Sequence, residues 1–180
     1  MLQLTIPGTE LYDDRRNKRI HIKETTLQLE HSLVSLSKWE RKWKTPFLSC
    51  KDMTYEMSID YVRCMTITQN VDLDVYLFLT EENMEEIRKY MDDPMTATTF
   101  RKSNKPGGRQ VITAEIIYYW MVTLQIPFNP CEKWHLNRLL TLIRVCDEKN
   151  SPKKKMSKRE AMNQQRSLNA ARRAKYHTSG

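Results

Sequence analysis

A run of mostly apolar residues between Thr113 and Ile126 constrains the fold of this 180-residue chain more than any other feature. Apolar side chains occur at almost every helical position of the run, which predicts a helix buried on nearly all sides. The run is too short to cross a bilayer, because a spanning helix needs about 20 consecutive apolar residues. We therefore expect it to be the central helix of a protein with no membrane partner. The four cysteines are spread without close pairing, and no signal-peptide pattern occurs, which indicates a cytosolic protein with reduced thiols.

The first 30 residues instead have the two-residue periodicity of β-strands. Leu2, Leu4 and Ile6 alternate with other residues, and the alternation resumes at Ile20 and Ile22 after a polar stretch. This pattern predicts a β-hairpin, and two further leucines before residue 30 could extend it to three strands.

Helical periodicity follows, and local start signals divide it into separate helices. Helices are predicted over about 29–45, 54–66, 80–93, 113–126 and 131–146. Thr80 is a typical N-cap, and Asn129 is expected to cap the helix that carries Pro130 at its first position. The sequence therefore predicts a mainly α (α+β) fold: a bundle of about five helices with a small N-terminal β-hairpin or three-stranded sheet and a basic C-terminal helical tail.

Charge divides the chain into a neutral body and a basic tail. Residues 1–149 carry 21 Lys and Arg against 21 Asp and Glu, whereas residues 150–180 carry nine against one. We predict a folded body over 1–149, which includes the N-terminal β segment 1–30, and a partly helical or disordered tail over 150–180. A capping box from Ser157 to Glu160 predicts a helix in this tail.

The basic tail is the strongest candidate binding segment in the sequence. Its cations could neutralise phosphates of a nucleic acid or dock on an acidic protein surface, and a solvated tail without a partner is the third interpretation. Composition alone leaves these three alternatives open. The candidate contact residues are Lys153, Lys154, Lys155, Lys158, Arg159, Arg166, Arg172, Arg173 and Lys175.

No catalytic or metal-binding pattern stands out. Cys131 and His135 are four residues apart on a predicted helix, but no second ligand pair accompanies them, so a buried free thiol is the plainer interpretation. The acidic pair Glu56 and Asp60 is interpreted as solvated surface charge. The loop 105–109 lacks the residue order of a phosphate-binding loop, which favours a flexible connector. We expect no enzyme activity, no cofactor and no metal.

Large side chains at helical spacing are interpreted as structural anchors of the body. A stacking platform for nucleic-acid bases is the alternative for the tryptophans, although their apolar neighbours favour core packing. The expected anchors are Trp39, Trp43, Trp120, Trp134, Leu139 and Ile143.

Five segments of the chain resemble a family of structural-module proteins from long-tailed bacteriophages. They are residues 29–43 (LEHSLVSLSKWERKW), 46–48 (PFL), 112–120 (ITAEIIYYW), 133–146 (KWHLNRLLTLIRVC) and the ending 155–180. The resemblance covers nearly the whole chain. It implies a tail assembly chaperone, a small helical protein that binds the tape-measure protein and helps tail-tube subunits polymerise around it.

The implied partners are therefore tape-measure and tail-tube proteins, and the implied location is the host cytoplasm, with the virion as the alternative. Because chaperones of this kind are often made in a short and a frameshifted long form, the three lysines at 153–155 suggest an A-rich slippery codon run. The basic tail fits this function poorly. A DNA-contacting head, connector or packaging accessory protein is accordingly the alternative function.

Overall fold

The computed structural model describes residues 1–13, 17–100, 111–150 and 158–176. It confirms a mainly helical α+β fold with a small antiparallel β segment at the N-terminus. The chain divides into two compact units, the first from Met1 to Asp147 and the second starting at Glu148. The predicted connector at 105–109 and the three lysines at 153–155 lie outside the described residues.

Four short strands form two antiparallel pairs, one nested inside the other along the chain. Strand β1 (Leu2–Ile6) pairs with β4 (Thr25–Leu29), and the intervening strands β2 (Thr9–Asp13) and β3 (Lys18–Ile22) pair with each other. The sequence predicts β1, β3 and β4 at these places. It misses β2, and it pairs β1 with β3 instead of β4.

The two strand pairs together are called the ribbon. Their nested pairing follows from two breaks in the ribbon that lie against each other. Pro7 and Gly8 separate β1 from β2, and Lys23 and Glu24 separate β3 from β4. A Cβ atom at Gly8 would lie 3.0 Å from the backbone nitrogen of Glu24, so the two breaks approach more closely than most side chains allow. One half of the ribbon thus contains β1 and β2, and the other half contains β3 and β4. The alternation of apolar residues along the sequence does not show that each half is broken into two strands.

Seven helices follow the ribbon within the described residues. They are α1 (Leu33–Trp43), α2 (Tyr55–Met65), α3 (Glu81–Asp92), α4 (Ala114–Thr123), the single turn α5 (Phe128–Cys131), α6 (Leu136–Asn150) and α7 (Lys158–Tyr176). Two 3₁₀ segments, Phe47–Ser49 and Leu73–Phe78, lie between them. The hydroxyl oxygens of Thr54 and Thr80 accept hydrogen bonds from the first turns of α2 and α3, so local capping fixes where these helices begin.

Helix α1 lies in the core of the first unit, where it packs against α2 and α4. Its inward residues Leu33, Leu36 and Trp39 are fully buried, and they meet Leu27 and Leu29 from β4 in one continuous apolar cluster. Burying side chains of this size stabilises a fold by about 1.5–3 kcal/mol each. The ribbon and the helices therefore share a single core.

Helix α4 departs from the expected burial on all sides. Ala114, Ile117 and Met121 face the core with no exposed surface, whereas Tyr119 and Val122 are 65% and 62% exposed. The prediction of a fully buried helix is therefore wrong. The body is too small to cover every side of α4, since a domain of this size buries only part of its apolar surface.

The start of α6 also differs from the predicted start near Cys131. The backbone N–H of Val34 donates to the backbone carbonyl oxygen of Glu132 at 3.3 Å, and the N–H of Leu136 donates to the backbone carbonyl oxygen of His31 at 2.7 Å. The turn before α6 is thus held against the start of α1, where His135 forms an isolated bridge with Ser32, and the helix begins at Leu136. Asn129 therefore does not cap α6, because this pairing between distant backbones decides where that helix begins.

Candidate partner-binding site

An apolar groove lies between the end of α4 and the middle of α6, and all of its lining belongs to the first unit. It has a volume of about 400 Å³. We call it the α4–α6 groove, and its lining residues are Trp120, Thr123, Leu124, Leu140, Ile143, Arg144 and Asp147. Binding pockets in proteins are typically lined by apolar side chains with a few polar groups that orient the bound molecule, and the α4–α6 groove has this composition.

A buried carboxylate fixes the position of α4. Glu40 on α1 is 7% exposed, and its two oxygens accept hydrogen bonds from the backbone N–H groups of Ala114 at 2.7 Å and Phe47 at 2.9 Å. The hydroxyl of Thr113 makes no capping bond, so Glu40 supplies the negative group that favours the N-terminus of α4. Glu40 was not among the predicted site residues, although a charged residue between Leu36 and Trp43 on an apolar stripe was a signal.

The other end of α4 is closed by a left-handed turn. Gln125 has φ of 55°, and the N–H groups of Gln125 and Ile126 donate to the oxygens of Val122 at 3.1 Å and Met121 at 2.8 Å. These two bonds form a Schellman motif, which ends a helix and turns the following residue back toward it. Ile126 is consequently buried, and Leu124 remains half-buried at the end of the groove.

Helix α6 supplies the opposite wall. Leu136 and Leu139 are fully buried and Ile143 is 7% exposed, so this row anchors the helix to the core. The guanidinium carbon of Arg144 lies 3.8 Å from the ring centroid of Phe100, a cation–π contact that holds this charge at the end of the groove. Arg144 and Asp147 therefore give the groove one positive and one negative group on adjacent turns of α6.

The four tryptophans do not form one stacking platform. Trp39 is fully buried, with its indole N–H donating to the Met57 oxygen at 2.9 Å. Trp43 is half-buried, and Trp134 lies under Arg138, whose guanidinium carbon is 4.3 Å from the ring centroid. Trp120 is half-buried and is the one tryptophan that lines the α4–α6 groove.

Asp60 contradicts the interpretation of Glu56 and Asp60 as a pair of solvated surface charges. Asp60 is 6% exposed, and it accepts a hydrogen bond from the indole N–H of Trp43 at 2.8 Å while pairing with Lys42. Glu56 is exposed. The helical period places Asp60 one residue after the apolar Ile59, and the preceding helix provides the two donors that make its burial possible.

Two histidines lie next to each other in the core. The ring centroids of His31 and His135 are 5.2 Å apart, and His31 Nδ1 lies 2.6 Å from the phenol oxygen of Tyr61. Burial and the neighbouring His135 lower the pKa of His31 to about 4, and burial raises the pKa of Tyr61 above its usual range. The His31 imidazole and the Tyr61 phenol are therefore both neutral at pH 7, as expected for a buried pair that is joined by a hydrogen bond.

The second histidine has partners for both ring nitrogens. His135 Nε2 donates to the backbone carbonyl oxygen of Tyr90 at 3.0 Å, and Nδ1 accepts from the backbone N–H of Asn137 at 3.3 Å. Cys131 belongs to the turn α5 and not to the helix that follows His135, so the predicted shared helix face is absent. No group of three or more potential metal ligands occurs among the residues that the structure describes.

The predicted contact residues of the tail fall partly on helix α7. Lys158 is the first residue of α7, and the side chains of Arg159, Arg166, Arg172, Arg173 and Lys175 are all exposed. Lys153, Lys154 and Lys155 lie outside the described residues. No helix in the described ranges has the length and apolar character needed to traverse a membrane.

Comparison with known proteins gave no relative: no family model matches the chain, and neither curated proteins nor solved structures are similar to it.

Proposed function

We propose that this protein is a bacteriophage tail assembly chaperone or related morphogenesis protein, which binds tape-measure and tail-tube proteins through the α4–α6 groove. The observation that carries the proposal is the half-buried Trp120 in an apolar groove on the surface of the body. Partly buried tryptophans in such pockets often supply a large share of binding energy at protein interfaces. The resemblance of the chain to phage structural-module proteins suggests the partners.

The groove has the chemistry to receive an amphipathic helix. Tape-measure proteins are long helical chains, and helices of this type dock by placing two or three apolar side chains into a groove between helices. The apolar wall of Leu124 and Leu140 would receive those side chains, while Arg144 and Asp147 would contact polar groups beside them. Tyr119 and Val122 extend the exposed apolar surface of α4 next to Trp120. On this proposal the protein acts by binding, without a catalytic step or a cofactor.

A pair of matched tryptophan substitutions tests the proposal. The full chain is tagged in phage-infected cells, and co-purified tape-measure and tail-tube proteins are quantified by mass spectrometry after nuclease treatment. Trp120→Leu changes the groove, while Trp134→Leu removes a half-buried tryptophan that does not line it. We expect Trp120→Leu to reduce recovery of the partner about tenfold, and Trp134→Leu to leave it within about twofold.

A second substitution separates lost binding from lost folding. Thr123 is exposed and lines the groove, so Thr123→Lys places a positive charge there without removing a core side chain. Reduced recovery of the partner with an unchanged melting temperature would support the proposal. Full recovery with both Trp120→Leu and Thr123→Lys, or recovery of neither tape-measure nor tube protein with the unmodified chain, would contradict it.

A further inference from the structure

Helix α7 presents a row of arginines along one side. Arg159, Arg166 and Arg173 are seven residues apart, a spacing that drifts by only about 20° around a helix with each step. They therefore lie in line at intervals of about 10 Å, and the row is about 21 Å long. We call these three residues the arginine row. All three side chains are exposed.

Opposing charge is scarce around the row, since Glu160, next to Arg159, is the single acidic residue in the sequence of α7. Arg172 lies about a third of a turn from the row, and the exposed amide of Asn169 lies between them. No aspartate or glutamate occurs from residue 161 to the end of the chain. One side of α7 therefore combines four guanidinium groups with an uncharged polar centre.

We infer that this side of α7 binds the major groove of duplex DNA. The groove of B-form DNA is about 12 Å wide and admits one α-helix, with phosphates along both of its edges. Helix α7 has 19 residues, which corresponds to a rod about 28 Å long. The arginine row spans the rise of roughly six base pairs, since adjacent base pairs are about 3.4 Å apart.

The kind of cation favours phosphate over an acidic protein surface. Four of the five described cationic side chains on α7 are arginines, whose planar guanidinium groups can bind a phosphate through two parallel hydrogen bonds. The exposed large apolar residues in the described part of α7 are Met162, Leu168 and Tyr176. Leu168 lies about a third of a turn away from Met162, and Met162 and Tyr176 are about 21 Å apart along the axis, so the three do not form the continuous apolar seam that a protein interface needs at its centre. Asn169, between the row and Arg172, is a residue type that hydrogen-bonds to base edges.

This inference uses only residues of α7 and does not depend on the chaperone proposal. The probe is a fluorescein-labelled duplex of about 20 base pairs, and binding of the full chain is followed by anisotropy between about 50 and 200 mM salt. Loss of DNA binding would leave the groove proposal intact, because that proposal is read from recovery of phage proteins after nuclease treatment. The two proposals can therefore fail separately.

The sharpest comparison uses two single-charge changes on opposite sides of the same helix. Lys175 lies nine residues beyond Arg166, which is two and a half turns, so it projects from the side opposite the arginine row. Arg166→Gln and Lys175→Gln each remove one positive charge and introduce a good helix former. We expect Arg166→Gln to weaken binding about fivefold and to lower the salt slope by about one, and Lys175→Gln to change affinity less than twofold.

Several outcomes would overturn the inference. Equal losses for Arg166→Gln and Lys175→Gln would show diffuse attraction of the whole tail and not a binding face. Absence of binding at about 50 mM salt, or equally tight binding to polyglutamate with the same dependence on Arg166, would exclude a duplex-specific site. Circular dichroism of the variants checks that α7 keeps its helicity. The inference requires that Arg166→Gln weakens binding to the DNA duplex about fivefold and has no such effect on binding to polyglutamate.

Discussion

The body and helix α7 use charged and polar side chains in opposite ways. In the first unit, Glu40, Asp60 and His135 are buried, and each makes hydrogen bonds with a neighbouring segment. On α7, Arg159 and Arg166 are exposed to solvent. A buried polar group specifies which segments meet, whereas an exposed row of charges can add little to stability and remains available to a partner.

The charge count of the chain therefore says little about which charges matter for folding. The body is neutral overall, yet single carboxylates inside it connect helices that are distant in sequence. The tail holds the excess positive charge, yet its described side chains are exposed. Removing a buried carboxylate should therefore affect stability far more than removing the tail.

The largest effect is expected at Glu40. Glu40→Ala would leave the backbone N–H groups of Phe47 and Ala114 without their acceptor, and each buried unpaired donor costs about 1–3 kcal/mol. We expect the free energy of unfolding to fall by about 4 kcal/mol, measured by urea denaturation. Glu56→Ala is the matched control, because Glu56 is exposed on α2, and its effect should stay below about 0.5 kcal/mol. Similar losses at both positions would contradict the role assigned to Glu40.

The next effect is a dependence of stability on pH that comes from His31. Burial and the neighbouring His135 lower its folded-state pKa from 6.5 to about 4. Between these two values the unfolded chain binds a proton that the folded chain does not, so stability falls as the pH falls from about 6.5 to about 4. The difference of pKa corresponds to about 3 kcal/mol, and above pH 6.5 this residue contributes no pH dependence.

Urea denaturation at pH 7, 5.5 and 4 measures this effect. His31→Gln should reduce the loss of stability between pH 7 and pH 4, because the buried imidazole no longer resists protonation. His21 on β3 has a side chain that is 62% exposed and lies 3.2 Å from Glu10, so His21→Gln is the surface comparison and should change the pH dependence less than His31→Gln does. An unaltered pH dependence in His31→Gln would show that other groups cause it.

Local signals predicted much of the fold. The hydroxyl caps at Thr54 and Thr80 depend on residues within one turn, and both helices begin where the sequence indicates. The start of α6 was missed because it is fixed by backbone pairing with His31, about 100 residues earlier in the chain. Strand β2 was missed because its polar sequence lacks the alternation that reveals its neighbours.

The candidate site was predictable only in part. The apolar run before Ile126 indicated a central helix, but periodicity alone cannot show that the body leaves Tyr119 and Val122 uncovered. The groove also needs the facing residues of α6, and which side of α4 they meet is decided by packing. By contrast, the side of α7 that carries the arginine row follows directly from a spacing of seven residues. Sites within one helix can be read from sequence, whereas sites between helices require the fold.

The smallest effect is expected from removing the tail itself. A chain that ends after Asn150 keeps all of α6 and lacks α7, whose described side chains are exposed. We expect the free energy of unfolding of the first unit to change by less than about 0.5 kcal/mol in urea, because none of the described side chains that are removed is buried. Leu139→Ala in the same shortened chain is the sensitivity control, and it should cost about 3 kcal/mol because Leu139 is fully buried. A loss on truncation as large as that of Leu139→Ala would show that the tail stabilises the body, and the contrast between buried and exposed charge would then fail.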